Sequence, residues 1–171
     1  VKPALWHRLD AASRDVSPVG LTIVLLIVGL VPLQLPGLAQ MAPQLPLMAV
    51  YHWSVYVPRL MPAWGVFAIG ALQDLLTGGP LGVQALVLLA VLGVVRQQHR
   101  FFAGKSFAVL WLGFALIAAG AMALAWFFVS ILSLTVVGPR PAAFQYLLTV
   151  GLYPLVAWLL LRWQQAFLKG A

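Results

Sequence analysis

Long apolar runs, divided by short clusters of proline, glycine and basic residues, set the pattern of this chain. Residues 3 to 16 alternate Leu5, Trp6, Leu9, Ala12 and Val16 with Arg8, Asp10, Arg14 and Asp15. That spacing predicts a short helix lying in a membrane surface; the plainer alternative is a frayed polar tail. Ser17-Pro18 reads as an N-cap followed by proline at the first helical position, opening an apolar span from about 18 to 35. Gly37-Leu38-Ala39 resembles a signal-peptidase site, but the apolar run before it exceeds the roughly 7–15 residues of a secretory core, so the segment is expected to remain as a helix.

Residues 36 to 46 hold Pro36, Pro43 and Pro46 without a charge and are expected to form an irregular loop. The second apolar segment, about 46 to 58, carries Tyr51, His52, Trp53 and Tyr56 and is shorter than the ~20 residues of a perpendicular span. It suits a thin, protein-lined span or a re-entrant segment. After Pro58-Arg59-Leu60-Met61-Pro62, a third span of about 63 to 77 and a fourth of about 81 to 97 meet at Gly78, Gly79, Pro80 and Gly82. Glycine tolerates positive φ and proline lacks a donor, so this cluster stops one helix and permits a tight reversal into the next. A basic connection (Arg96, His99, Arg100, Lys105) leads to a long fifth span, about 107 to 133, on which Ala115, Ala119 and Ala123 recur at four-residue spacing. Such a face allows close helix approach, usually within one bundle and less often toward a partner. Gly138-Pro139-Arg140-Pro141 is expected to close that helix before a sixth span of about 143 to 163.

Composition turns this pattern into a membrane protein. The chain is 63% hydrophobic and 8% charged, with a mean hydropathy of +1.01, whereas soluble domains are about 25% charged. The net charge of +7 would suit nucleic acid only if the basic residues shared one soluble face, and here they lie between apolar segments. With the N-terminus in the cytoplasm, Lys2, Arg8, Arg14, Arg59, Arg96, Arg100, Lys105, Arg162 and Lys169 collect inside, and Arg140 alone lies outside. The expected fold is therefore an all-α polytopic membrane helix bundle of six transmembrane helices with both termini cytoplasmic, one integral membrane domain over 1–171 with an interfacial segment at 1–17.

Chemistry has little to work with. There is no cysteine, the three acids are all Asp, and there are three His. No pair of histidines or carboxylates falls at i, i+3 or i, i+4 on one span, no Ser-His-Asp set is convincing, and no metal or cofactor is implied. The glycines lack the Lys and spacing of a phosphate loop. His52, at apparent membrane depth, suits a neutral imidazole bonded to a neighbouring helix better than a proton relay. Asp74 is the one acid beyond residue 15, and an ionised Asp at the centre of a lone span costs roughly 2.5–3.5 kcal/mol on insertion scales. It must pair with Arg140, bond to Gln73 or Gln84, cap exposed backbone donors of the next helix, or meet a partner or ligand.

The run Ala71-Leu72-Gln73-Asp74-Leu75-Leu76-Thr77-Gly78-Gly79-Pro80-Leu81-Gly82-Val83-Gln84-Ala85-Leu86 resembles the central hairpin of the bacterial rod shape-determining MreD family, whose size, hydrophobicity and basic fourth-to-fifth connection the whole chain shares. Members usually carry His where Gln84 stands, which weakens any role for an ionisable group there. The resemblance implies a non-enzymatic inner-membrane adaptor or regulator of the elongation machinery, acting in cell shape and peptidoglycan synthesis. Its implied partners are the single-span protein MreC and, directly or through it, RodA with its transpeptidase partner and MreB filaments, besides membrane lipids. The family also resembles the six-helix substrate-binding subunits of energy-coupling-factor vitamin transporters, so substrate capture is the rival expectation and a membrane enzyme a distant third. Short second and third spans would suit a recess on the outer face, whichever occupant fills it.

Overall fold

The computed structural model describes residues 2–30, 43–102, 104–136 and 138–167, and these form helices and short turns with no strand among them. The proline-rich loop and Gly37-Leu38-Ala39 lie largely or wholly outside the described residues, as does Lys169. In chain order the helices are α1 (Lys2–Leu30), α2 (Leu45–Tyr56), α3 (Ala63–Thr77), α4 (Val83–Gln97), α5 (His99–Phe102), α6 (Phe107–Leu132) and α7 (Pro139–Phe167), with a 3₁₀ turn at Pro58–Leu60.

The bundle is built around α2. A helix that is apolar on every side has no face to give to water, so it goes to the centre. Pro46 through Val55 are all buried, and α1, α4 and α7 pack around them, with lesser contacts from α5 and α6. The Tyr51 ring sits among Phe102, Phe114 and Tyr153, with centroids 5.2–6.0 Å away, and its hydroxyl donates to the Leu110 carbonyl at 2.8 Å. At 12 residues α2 is only ~18 Å long, so its ends are finished by other elements rather than by lipid.

Two boundaries differ from expectation. Ser17-Pro18 does not start a helix: α1 runs through it, and its axis turns by 40° between Leu5–Ser13 and Val16–Leu30. Pro18 has no N–H for the carbonyl four residues earlier, so the helix bends there and continues. Likewise Gly138-Pro139-Arg140-Pro141 does not close α6, which ends at Leu132. The cluster opens α7, where prolines in the first turn cost nothing because those N–H groups have no intrahelical partner.

Helices α6 and α7, 26 and 29 residues long, are long and apolar enough to cross a membrane, and α1 joins them when its two bent parts are taken as one span. Helices α3 and α4, at 15 residues each, are ~22 Å long against a hydrocarbon core of about 30 Å.

Candidate partner-binding site at the α3–α4 hairpin

Helix α3 ends where Gly78 takes the left-handed conformation (φ 70) and donates its N–H to the Asp74 carbonyl at 3.1 Å. Helix α4 begins after Gly82, at φ 95, with no capping side chain of its own. Glycine suits both conformations, but at the second it leaves the first donors of α4 unserved. Asp74 supplies what Gly82 lacks. Its Oδ2 accepts the Gly82 N–H at 2.9 Å and the Gln84 N–H at 3.2 Å, and Oδ1 lies 3.3 Å from the same Gln84 nitrogen. The carboxylate is 2% exposed and sits at the positive end of the α4 dipole, which offsets the cost of burying it.

Backbone proximity makes this reach possible. A Cβ on Gly70 would stand 2.4 Å from the Ala85 Cα, so the two helices touch main chain to main chain one turn before Asp74. Gly65, Val66, Ile69, Gly70, Gln73 and Asp74 form the buried face of α3.

A polar layer continues sideways from Asp74. The Gln73 amide donates to Gln44 Oε1 at 2.9 Å, and the Gln44 N–H, just before α2, donates to Thr149 Oγ1 on α7 at 3.1 Å. Thr149 in turn donates to the Gln145 carbonyl at 2.6 Å. Beside this layer α2, α4, α6 and α7 line a partly open cavity of about 180 Å³ whose polar lining is Gln44, Gln84 and Gln145 and whose apolar lining includes Leu47, Leu88 and Trp126.

The hairpin therefore unites Gln73, Asp74, Gly78, Gly82 and Gln84, with Gly79 exposed and Pro80 half-buried in the turn between them. Of the partners open to Asp74, the donors of the next helix are the ones it takes. Arg140 stands exposed on the first turn of α7, and among the described residues no ion pair joins it to Asp74. The small-residue face also needs correcting. Ala115 is half-buried and its carbonyl accepts the Tyr146 hydroxyl at 2.9 Å, but Ala119 and Ala123 are exposed. The intramolecular row on α6 is Leu110, Phe114, Ala118 and Ala121, next to the expected one. His52 is fully buried against the rings of Trp53 and Tyr56, at 5.2 and 4.6 Å; the Gln164 side chain lies beside it, outside direct hydrogen-bond geometry. Among the described residues no group of three His, Cys, Asp or Glu converges as a metal site would require.

Sequence reasoning missed Gln44, Thr149 and Gln145. Their signal was faint: a Gln and a Thr in otherwise apolar surroundings, separated by more than a hundred residues. No curated protein and no solved structure matches the chain. The family described as rod shape-determining protein MreD matches residues 15–163, nearly the whole chain, a range that contains the hairpin built around Asp74. The chain belongs to the MreD family of rod shape-determining membrane proteins.

Proposed function

We propose that this chain is a non-enzymatic inner-membrane adaptor of the elongation machinery, with six spans and both termini in the cytoplasm, whose outer hairpin docks MreC. Through MreC, or directly, it would engage RodA with its transpeptidase partner and MreB filaments, and so help control peptidoglycan synthesis. The observation that carries the reading is how the hairpin is built. The buried Asp74 carboxylate accepts from two backbone donors, the Gly82 and Gln84 N–H groups, and so ties the end of α3 to the start of α4 and stiffens the turn between them. That rigid turn holds Leu81 outside the helices at 71% exposure, with Leu75 and Leu76 exposed beneath it. A preformed apolar projection gains affinity by saving the ordering cost of binding.

Charge placement supports the orientation. Arg59, Arg96, Arg100, Lys105 and Arg162 gather at the end of the bundle opposite the hairpin, where the Arg96 guanidinium donates to the Met61 carbonyl at 2.9 Å and Arg162 lies over the Trp158 ring at 4.6 Å. Short α3 and α4 are tolerable if the bilayer thins around them, at fractions of a kcal/mol per Å.

The test is recovery of MreC with the purified chain. Leu81→Ser, in the exposed turn, should leave the chain folded and reduce MreC recovery severalfold. Undiminished recovery would remove the hairpin from the interface. Orientation is tested separately by cysteine labelling: Gly79→Cys and Gly138→Cys should react from the periplasm and Gln98→Cys should not.

A further inference from the structure

On its other flank α4 packs against α6 less closely than against α3. Between α4 and α6 runs an open apolar groove of about 630 Å³, lined among others by Ala90, Val94, Leu112, Leu116, Gly120 and Ala121. Its lining runs from Val87 on α4 to Gln98 just past that helix, and from Val109 to Leu124 on α6, which is ~17 and ~22 Å along the helices, enough to take the ~15 Å depth of one hydrocarbon leaflet. One end of the groove is basic. Gln98 and Phe101 line it there, the Lys105 ammonium lies 5.4 Å from the Phe101 ring centroid, and Arg100 is exposed on the residue before Phe101. Arg96, by contrast, is turned to the Met61 carbonyl.

We infer that the α4–α6 groove holds an anionic phospholipid of the inner leaflet, an acyl chain along Ala90 and Gly120 and the phosphate between Arg100 and Lys105. The inference rests on the membrane orientation proposed above. A groove one leaflet deep, apolar along its length and cationic at one end matches the amphiphile from that leaflet, whose surface is itself negative. A helix of a partner would gain no use from the two cations.

Native mass spectrometry of the full chain in detergent, titrated with phosphatidylglycerol or phosphatidylcholine, tests this. The wild-type chain should retain phosphatidylglycerol preferentially. Arg100→Gln and Lys105→Gln should each weaken it about fivefold and leave phosphatidylcholine unchanged. Gly120→Leu should weaken both lipids, and because nothing lies within 4 Å of a Cβ at Gly120, it should do so with a thermal midpoint no lower than wild type. Equal retention of the two lipids, or indifference to Gly120→Leu, overturns the site. A photo-crosslinking residue at Ala90 in whole membranes should give a lipid-sized adduct; a protein-sized adduct would assign the groove to a partner helix instead. Labelling of Gln98→Cys from outside would overturn the orientation and the leaflet, and would leave the groove's occupancy standing on the titration.

Discussion

The two sides of α4 use small residues to opposite ends. Toward α3, Gly70 lets main chain meet main chain at Ala85, and the seam is closed so tightly that a carboxylate on one helix can cap the other. Toward α6, Gly120 faces open space and leaves a groove. Glycine permits close approach but does not cause it. What closes the α3 side is the short turn at Gly78–Gly82 together with Asp74, which ties the start of α4 to the end of α3; the α6 side has a longer connection through α5.

The largest effect should come from filling the closed side. In Gly70→Ala the new Cβ meets backbone, which cannot rotate away, so the helices must part and the Asp74 bonds lengthen with them. A loss of about 1–3 kcal/mol is expected, and more for Gly70→Leu. Gly120→Ala, the same chemical change on the open side, should gain about 0.5–1 kcal/mol from helix propensity alone. Thermal unfolding of the two alanine variants in one detergent compares them directly, and equal midpoints would erase the distinction between the two seams.

Next come the Asp74 variants. Asp74→Asn keeps the shape and one acceptor but loses the charge-assisted part of two bonds, roughly 1.5–3 kcal/mol. Asp74→Leu also leaves the Gly82 and Gln84 N–H groups buried without a partner, so its folded yield should be the lower of the two. Both should weaken MreC retention, measured per amount of membrane-inserted protein, if the turn presents the docking surface. Full retention by both variants would separate the carboxylate from docking.

A smaller loss, about 1 kcal/mol, is expected for Thr149→Val, which removes the acceptor of the Gln44 N–H and keeps the side chain's shape. If the midpoint does not move, the polar layer between α2 and α7 contributes nothing to stability.

The hairpin was legible in the sequence because all its determinants are local. Asp74, the glycines and the start of α4 lie within eleven residues, and the cost of an unpaired intramembrane acid forces a short list of partners that includes the next helix's donors. The family resemblance rests on the same stretch. The centrality of α2 was half legible: its lack of a polar face argued for burial, but its length argued equally for a re-entrant segment, and only the helices packed around it decide. The Gln44–Thr149 bond was not legible, since a lone polar residue in an apolar helix carries no mark of which helix it will meet. Nor was the α6 register. Rows one residue apart on a helix are separated by about 100°, and with small residues at both 115/119/123 and 118/121, composition could not choose between them.

That register yields the smallest predicted effect and the sharpest use of it. Ala119 is exposed, and it stands beside Gly120 and one position from buried Ala118. Within the chain nothing depends on its being small, so Ala119→Leu should leave the thermal midpoint within about 0.5 kcal/mol of wild type, as exposed substitutions generally do. In a bilayer, however, an exposed alanine row is either lipid-facing or the seam of a second protein, and these differ in one measurable way. Lipid chains rearrange around a leucine, whereas a helix packed on small residues is pushed off, because no hydrophobic force compensates for lost contact in lipid. Recovery of MreC and RodA with Ala119→Leu should therefore match wild type if the row faces lipid. A severalfold drop at an unchanged midpoint would instead place an intermolecular seam along Ala115, Ala119 and Ala123, and the flank of α6 would join the hairpin as a second docking surface.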